Sequence, residues 1–486
     1  MEKLNVCLMN DSFPPAIDGV ANAVTNYARI ISAGLGQATV VTPYYPEADD
    51  SVFAFPVIRY PSLDVTKLVG YRAGLPFDAD TMDRMEKQGF DVIHSHCPIS
   101  STVLARALRD RIHAPVIMTY HTKFDIDIAN AVRGQFLREE AARFLVSNIA
   151  ACDQVWTVSR GAGENLRKLG YEGDYTVIPN GVDLPRGRVS DGLIEKAAAG
   201  YDLPAGVPVF LFVGRMMWYK GCRITLDGLK MLDAAGQDFR MVFVGGGADR
   251  EEIMAYAASL GLGGKVLFVP PIHDRDLLRA WYCRADLFLF PSTFDTNGLV
   301  VREAAACGLA SMLVAGSCAA EDVTDGETGF LMEENAPSMA EKLTALCGNL
   351  ELVRRVGRQA QRDIYVSWEE AVKNAYARYG AVADDYRRGL YPEHDKLTDG
   401  LLHGLAAALD GVNKGRALYR RAQEDLTDGL EDLKDGLGEL KEDLKESLSD
   451  GLEDLKDGLG DLKEGLADGA QRLKDRLEEL EKKIDL

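Results

Sequence analysis

Two cations close behind an apolar run are the first residues that could do chemistry: Arg215 and Lys220, in VGRMMWYKG from Val213. Just past a strand end, they could neutralise the α and β phosphates of a nucleotide leaving group, the charge a glycosyl transfer most needs to stabilise. Read alone, they could equally be solvated surface cations. A second constellation is FPSTFDTNGLVVREAAACG, where Asp295 and Glu303 flank Asn297-Gly298-Leu299 at the start of an expected helix. There a loop carboxylate could bind sugar hydroxyls, the helix-start amides could hold phosphate or sugar, and the second acid could grip a ribose. Plain helix capping is the alternative. A third is FPPAIDGVANAV, in which Asp18-Gly19-Val20 opens a helix. Glycine there lets backbone N–H groups approach a phosphate at the helix N-terminus, although a tight turn needs glycine for steric reasons alone.

Such groups need a scaffold that brings strand ends together. NVCLMN, ATVVTP, DVIHSH, PVIMTY and QVWTVS read as buried parallel strands, with helices after Gly19, Ser100, Phe124 and Gly161. After a stretch rich in Gly, Pro and charge, the alternation restarts with VFLFVG, MVFVGG, KVLFVP, LFLFPS and ASMLVA. The pattern predicts an α/β fold of two doubly wound, Rossmann-like domains in series, with a cleft where strand carboxyl ends face each other. The expected boundaries are a first domain over 1–183, a linker over 184–207 and a second domain over 208–368. A closing helix over 369–391 and an amphipathic helical appendage over 392–486 follow.

The net charge of -20 argues against a nucleic-acid partner, because neutralising phosphates takes clustered Lys and Arg. The acidity is uneven: 22 acidic and 10 basic residues from Glu424 to Leu486 give -12, leaving -8 for the rest. The 8 cysteines are scattered singly, mostly in apolar runs, and read as reduced core thiols. No run approaches the roughly 18 apolar residues of a membrane span, and MEKLNVCLMN reads as a strand and not a signal segment. A cytoplasmic location is expected, with any membrane contact peripheral.

In this order, the three stretches resemble the retaining glycosyltransferases of family 4, which have the two-domain GT-B fold. The likeness runs from about Asn5 to about Tyr391 and includes VIPNGVD, ACDQVWTVS, DVIHSH, VGRMMWYKG, VFVGGG and the D-x7-E spacing before AAACGL. It implies that Gly19, Arg215 and Lys220 face the donor diphosphate. Glu303 would bind the ribose of a nucleotide sugar, and Asn297, Gly298 and Leu299 would contact sugar and phosphate. Pro271-Ile272 matches where the family reads the base, and His121 in TYHTKF matches a histidine that touches the transferred sugar. Outside that context His121 is an ordinary histidine at a strand end. One departure is Asp295, where the family usually has Glu; being shorter, it puts donor sugar choice in question more than reaction class. Substitution with retention at the anomeric carbon is implied, without a metal cofactor. Asp125-Ile126-Asp127 superficially matches the D-x-D of the other glycosyltransferase fold, but reads better as a solvated or capping pair.

For the acceptor, PPAIDGVANAV followed by TYHTKF resembles the lipid-glycosylating branch, notably diacylglycerol glucosyltransferases, with phosphatidylinositol mannosyltransferases nearby. Lys123 to Ala150, mixing Phe, Ile and Leu with Arg133, Arg138 and Arg143, could lie on a membrane surface or be an ordinary half-buried helix. The expected reaction is hexose transfer, glucose from UDP-glucose, to a lipid such as 1,2-diacylglycerol at the inner face of the cell membrane. Mannosyl or other hexosyl transfer to phosphatidylinositol or a soluble acceptor stays open, as does an inactive scaffold working through its tail. That tail carries an apolar row from Leu426 to Ile484, 58 residues in 16 steps, about 3.6 per step. This period disfavours a long heptad coil and leaves membrane apposition, self-association or a solvated tail.

Overall fold

The computed structural model describes residues 3–391 apart from 17, 67–71, 77, 126–127 and 129–134. The appendage expected over 392–486, its leucine row, Asp127 and Arg133 lie outside the described residues.

Two parallel sheets account for the apolar runs. The first has seven strands, ordered Val57–Tyr60, Gln37–Pro43, Asn5–Met9, Val92–Ser95, Val116–Tyr120, Gln154–Thr157, Thr176–Val177. The second has six, ordered Val266–Val269, Arg240–Val244, Val209–Val213, Leu287–Phe290, Ser311–Val314, Phe330–Met332. Strands such as Val116–Tyr120 and Val209–Val213 are buried at every position. Continuous apolar runs, in place of alternation, are what a sheet covered by helices on both faces requires. A two-stranded antiparallel pair, Ser62–Leu63 with Ala73–Gly74, sits beside the first sheet.

The stretch expected as a linker is more ordered than its composition suggests. It contains the helix Asp191–Ala198, which packs on the helix Arg275–Arg284 and contributes Ile194 to the second core. Three apolar positions, Leu193, Ile194 and Ala197, are enough to dock one short helix face.

The helix Trp368–Arg387 leaves the second domain and packs into the first. Its Trp368, Val372, Tyr376 and Tyr379 join the core around Tyr27 and Trp156. Tyr376 Oη accepts the Leu4 amide at 2.7 Å, and Tyr379 stacks on Trp156 with ring centroids 5.4 Å apart. Gly181 lets the chain cross here, since a Cβ would collide with the backbone of Trp368. Among the described residues, no helix is long and apolar enough to cross a membrane.

Candidate functional site

The carboxyl ends of both sheets open onto one cleft, and the loop from Thr293 to Asn297 joins its walls. Lys123 Nζ donates to the Thr293 carbonyl at 3.1 Å, Ser159 Oγ to the Thr296 carbonyl, and the Asn297 side-chain amide to the Val158 carbonyl. Asn297 Nδ2 thereby ties the start of its helix to the opposite domain. Glu321 adds a tie by accepting from the amides of Arg160 and Gly161.

Lys220 is placed by a tight turn. After the strand Val209–Val213 the chain makes the short helix Trp218–Lys220, closed by Gly221 at φ 79°. A side chain at Gly221 would strike the Pro291 carbonyl, so the left-handed glycine brings Lys220 against the next strand end. Lys220 Nζ lies 2.6 Å from Asp295 Oδ1, and Asp295 Oδ2 accepts from Ser292 Oγ at 2.7 Å. The ammonium also faces the rings of Phe290, Tyr219 and Phe294 at 5.7 to 6.0 Å. Arg215 stands just beyond Val213, separated from that strand end by Gly214. It is exposed and makes no side-chain hydrogen bond or ion pair among the described residues.

Glu303 sits in the helix Leu299–Ala306, whose start is fixed by Gly298 at φ 60°, packed against Ala319. Its Oε2 accepts from Tyr282 Oη at 2.9 Å, and its Oε1 lies 3.6 Å from Arg275 Nη1. Burial raises the Glu303 pKa; the Tyr282 hydrogen bond and the Arg275 charge oppose the rise, and Asp183 adds to it. Arg275 also reaches Asp183 at 3.0 Å, and Asp183 accepts from Asn22 and Asn26, each at 3.1 Å. Asp183 thus links the first helix to Arg275, which also reaches Glu303. Asp183 stands within the VIPNGVD motif and Asn22 within FPPAIDGVANAV, but Arg275, Tyr282 and Asn26 carry no local signal; only the fold assembles them.

Gly19 opens the helix Gly19–Ile30, with open space where a Cβ would stand. The helix-start amides expected to meet phosphate are partly occupied, because Asp18 Oδ1 accepts from Val20 and Ala21 at 2.8 and 2.7 Å. Ile272 follows the strand Val266–Val269 and packs against the second core, and Leu299 is half-buried at its helix start. Across the cleft, His121 is buried and its Nε2 lies 2.9 Å from His96 Nδ1. Burial pulls the His121 pKa down to about 3, so the ring is neutral at physiological pH. Among the described residues no cluster of three or more His, Cys, Asp or Glu could hold a metal ion.

Residues 17–186 match the family described as Glycosyltransferase Family 4, and residues 194–363 match Glycosyl transferases group 1. A D-inositol 3-phosphate glycosyltransferase of Nocardia farcinica is 30% identical over 322 residues, 63% of this chain and 70% of that protein. The chain belongs to glycosyltransferase family 4. This family-4 glycosyltransferase is also 30% identical over 337 residues to the D-inositol 3-phosphate glycosyltransferase of Geodermatophilus obscurus, covering 66% of this chain and 72% of that one. In fold it is similar to sucrose-phosphate synthase from Thermosynechococcus elongatus, with a TM-score of 0.60 at 21% identity over 78% of this chain and 99% of that one. Anabaena HepE, solved in complex with UDP and glucose, gives a TM-score of 0.60 at 16% identity, over the same shares of the two chains. Both are GT-B-like neighbours and agree with the two-sheet architecture. The relatives above act, by name, on D-inositol 3-phosphate and not on diacylglycerol.

Proposed function

We propose that this glycosyltransferase moves a hexose from a UDP-type nucleotide sugar, with retention of anomeric configuration, to a hydroxyl of a membrane lipid such as diacylglycerol. The observation that carries the donor half is the Lys220–Asp295 pair, with Arg215 exposed five residues before Lys220 and Glu303 held by Tyr282. Arg215 and Lys220 would take the diphosphate, Glu303 the ribose, Ile272 the base edge, and His121 and Asp295 the sugar. Gly19 and the backbone from Asn297 to Leu299 would line the same pocket.

Both Asp295 oxygens are already hydrogen-bonded, which makes it a poor covalent nucleophile. That supports front-face substitution: the bond from the anomeric carbon to the phosphate oxygen breaks as the bond to the acceptor oxygen forms. The acceptor proton passes to the departing diphosphate, whose charge Arg215 and Lys220 stabilise.

The lipid reading draws on the helix Gln135–Ala150. Phe136, Leu137 and Phe144 are 68, 57 and 53% exposed there, and Leu137 and Phe144 share a face at i, i+7 spacing. Arg143 is paired with Glu140 at 2.9 Å, so the attraction would be more apolar than electrostatic. The second reading, a phosphorylated polyol acceptor, is favoured by the names of the relatives.

The test offers UDP-glucose with diacylglycerol vesicles or with inositol 3-phosphate, and reads products by mass spectrometry and anomeric configuration by NMR. An α-glucosyl lipid supports the first reading, and hexosylation of inositol 3-phosphate alone replaces it with the second. Triple replacement of Phe136, Leu137 and Phe144 by Ser should reduce vesicle binding; undiminished binding removes this helix from the membrane role.

A further inference from the structure

His96, in the DVIHSH stretch, has no place among the donor-binding groups, yet it touches His121 directly. The two follow neighbouring parallel strands, Val92–Ser95 and Val116–Tyr120, in which Ser95 pairs with Met118. Their rings stack with centroids 5.2 Å apart and planes 25° from parallel. His94 supports them from behind: its Nδ1 meets Tyr379 Oη at 2.5 Å, its Nε2 meets Thr119 Oγ1 at 2.6 Å, and its ring centroid is 3.9 Å from that of His96. Tyr27 packs edge-on against both His94 and His96. Every ring nitrogen of His94 and His96 therefore has a partner except one. Among the described residues, His96 Nε2 is sealed from solvent and has no hydrogen-bond partner.

That single orphan decides where the protons sit. Burial lowers the pKa of all three histidines, so each ring carries one proton at neutral pH. With its proton on Nε2, His96 would bury an unsatisfied N–H, which is rarer and more costly than an unsatisfied acceptor. With its proton on Nδ1, His96 donates to His121 Nε2 and leaves only a lone pair unmet. His121 Nε2 must then be the acceptor, which puts its own proton on Nδ1.

We propose that His96 is a positioning residue that fixes His121 as its Nδ1–H tautomer, so that His121 presents a neutral hydrogen-bond donor to the transferred sugar. The sugar-facing part rests on the proposed function; the tautomer itself does not. His96 acts through a hydrogen bond and carries no charge to the site. The closing helix takes part indirectly, because Tyr379 holds His94 and His94 packs on His96.

The test has two separable readouts. Two-bond 1H–15N correlation on the full chain, labelled with 15N-histidine and free of substrate, should show His121 and His96 both protonated at Nδ1. A proton on His121 Nε2 overturns the proposal whatever reaction the enzyme performs. His96→Asn keeps an N–H near the position of Nδ1, whereas His96→Leu removes it. In His96→Asn, His121 should keep the Nδ1–H form and kcat/KM for the nucleotide sugar should stay within about threefold, while His96→Leu should lose the tautomer and about tenfold in kcat/KM. Equal losses in both variants, at equal melting temperature, overturn the positioning role. If the tautomer is found as stated but His121→Ala transfers sugar at the unaltered rate, the sugar contact is refuted and the tautomer assignment stands.

Discussion

Lys220 Nζ and Asp295 Oδ1 lie 2.6 Å apart, joining the turn after the strand Val209–Val213 to the loop after the strand Leu287–Phe290. Residues 75 apart in sequence thus form one partly buried ion pair at the cleft. Removing Lys220 strands the Asp295 carboxylate and, on the proposed function, loses a phosphate-binding cation. Lys220→Ala should lower kcat by about 10²–10³-fold, the usual scale for one electrostatic contact in a transition state. With 21% of the Asp295 side chain exposed, water relieves part of the stranded charge. The stability loss should be about 1–3 kcal/mol, below that of a fully buried pair. Steady-state kinetics and denaturant unfolding check the two figures.

Glu303 makes stability depend on pH. Its folded pKa is raised, chiefly by burial, so the folded state holds its proton more tightly than the unfolded chain does. That contribution is complete below the ordinary carboxylate pKa and is lost as pH rises through the folded value. The donor-free protein should lose melting temperature over that interval, and Glu303→Gln should flatten the loss. Thermal melts between about pH 4 and 7 measure this.

Asp183 binds Asn22 and Asn26 of the first domain and Arg275 of the second. With the Arg275 side chain 51% and that of Asp183 26% exposed, the ion pair should contribute at most about 1 kcal/mol. Asp183→Ala should therefore leave global stability nearly unchanged while loosening the cleft. A rise in radius of gyration by small-angle scattering, with a higher KM for the nucleotide sugar, is the expected outcome.

Tyr379 tests the docking of the closing helix on the first domain. It is fully buried, stacks on Trp156 and bonds His94 Nδ1. Tyr379→Phe keeps the stack but leaves His94 short of a partner, costing about 1–3 kcal/mol. Tyr379→Ala also opens a cavity and should cost about 3–5 kcal/mol. Urea unfolding of both variants separates the hydrogen bond from the packing.

The local signals in this chain concern periodicity and glycine. Runs such as VFLFV and VIMTY are buried whatever their neighbours, so their apolar continuity alone specifies covered parallel strands. Gly298 is legible at an expected helix start, where the backbone takes a left-handed φ, whereas the equally left-handed Gly221 shows its role only in the turn that places Lys220. The helix within the linker is hidden from a reading by composition, since Gly, Pro and charge around it outweigh the short apolar face at Ile194.

The two-sheet α/β architecture and the kinds of polar group at its strand ends can be read from the chain alone, since both follow from local steric and hydrophobic patterns. Which of those groups meet is settled only in three dimensions. Folding joins Lys220 to Asp295, ties Asn297 to Val158 of the first domain, links Glu303 through Arg275 to Asp183, and sets His96 against His121. A hydrogen bond or ion pair depends on distances of about 3 Å between atoms far apart in sequence. No spacing along the chain encodes such a distance; packing of the two sheets and the closing helix does.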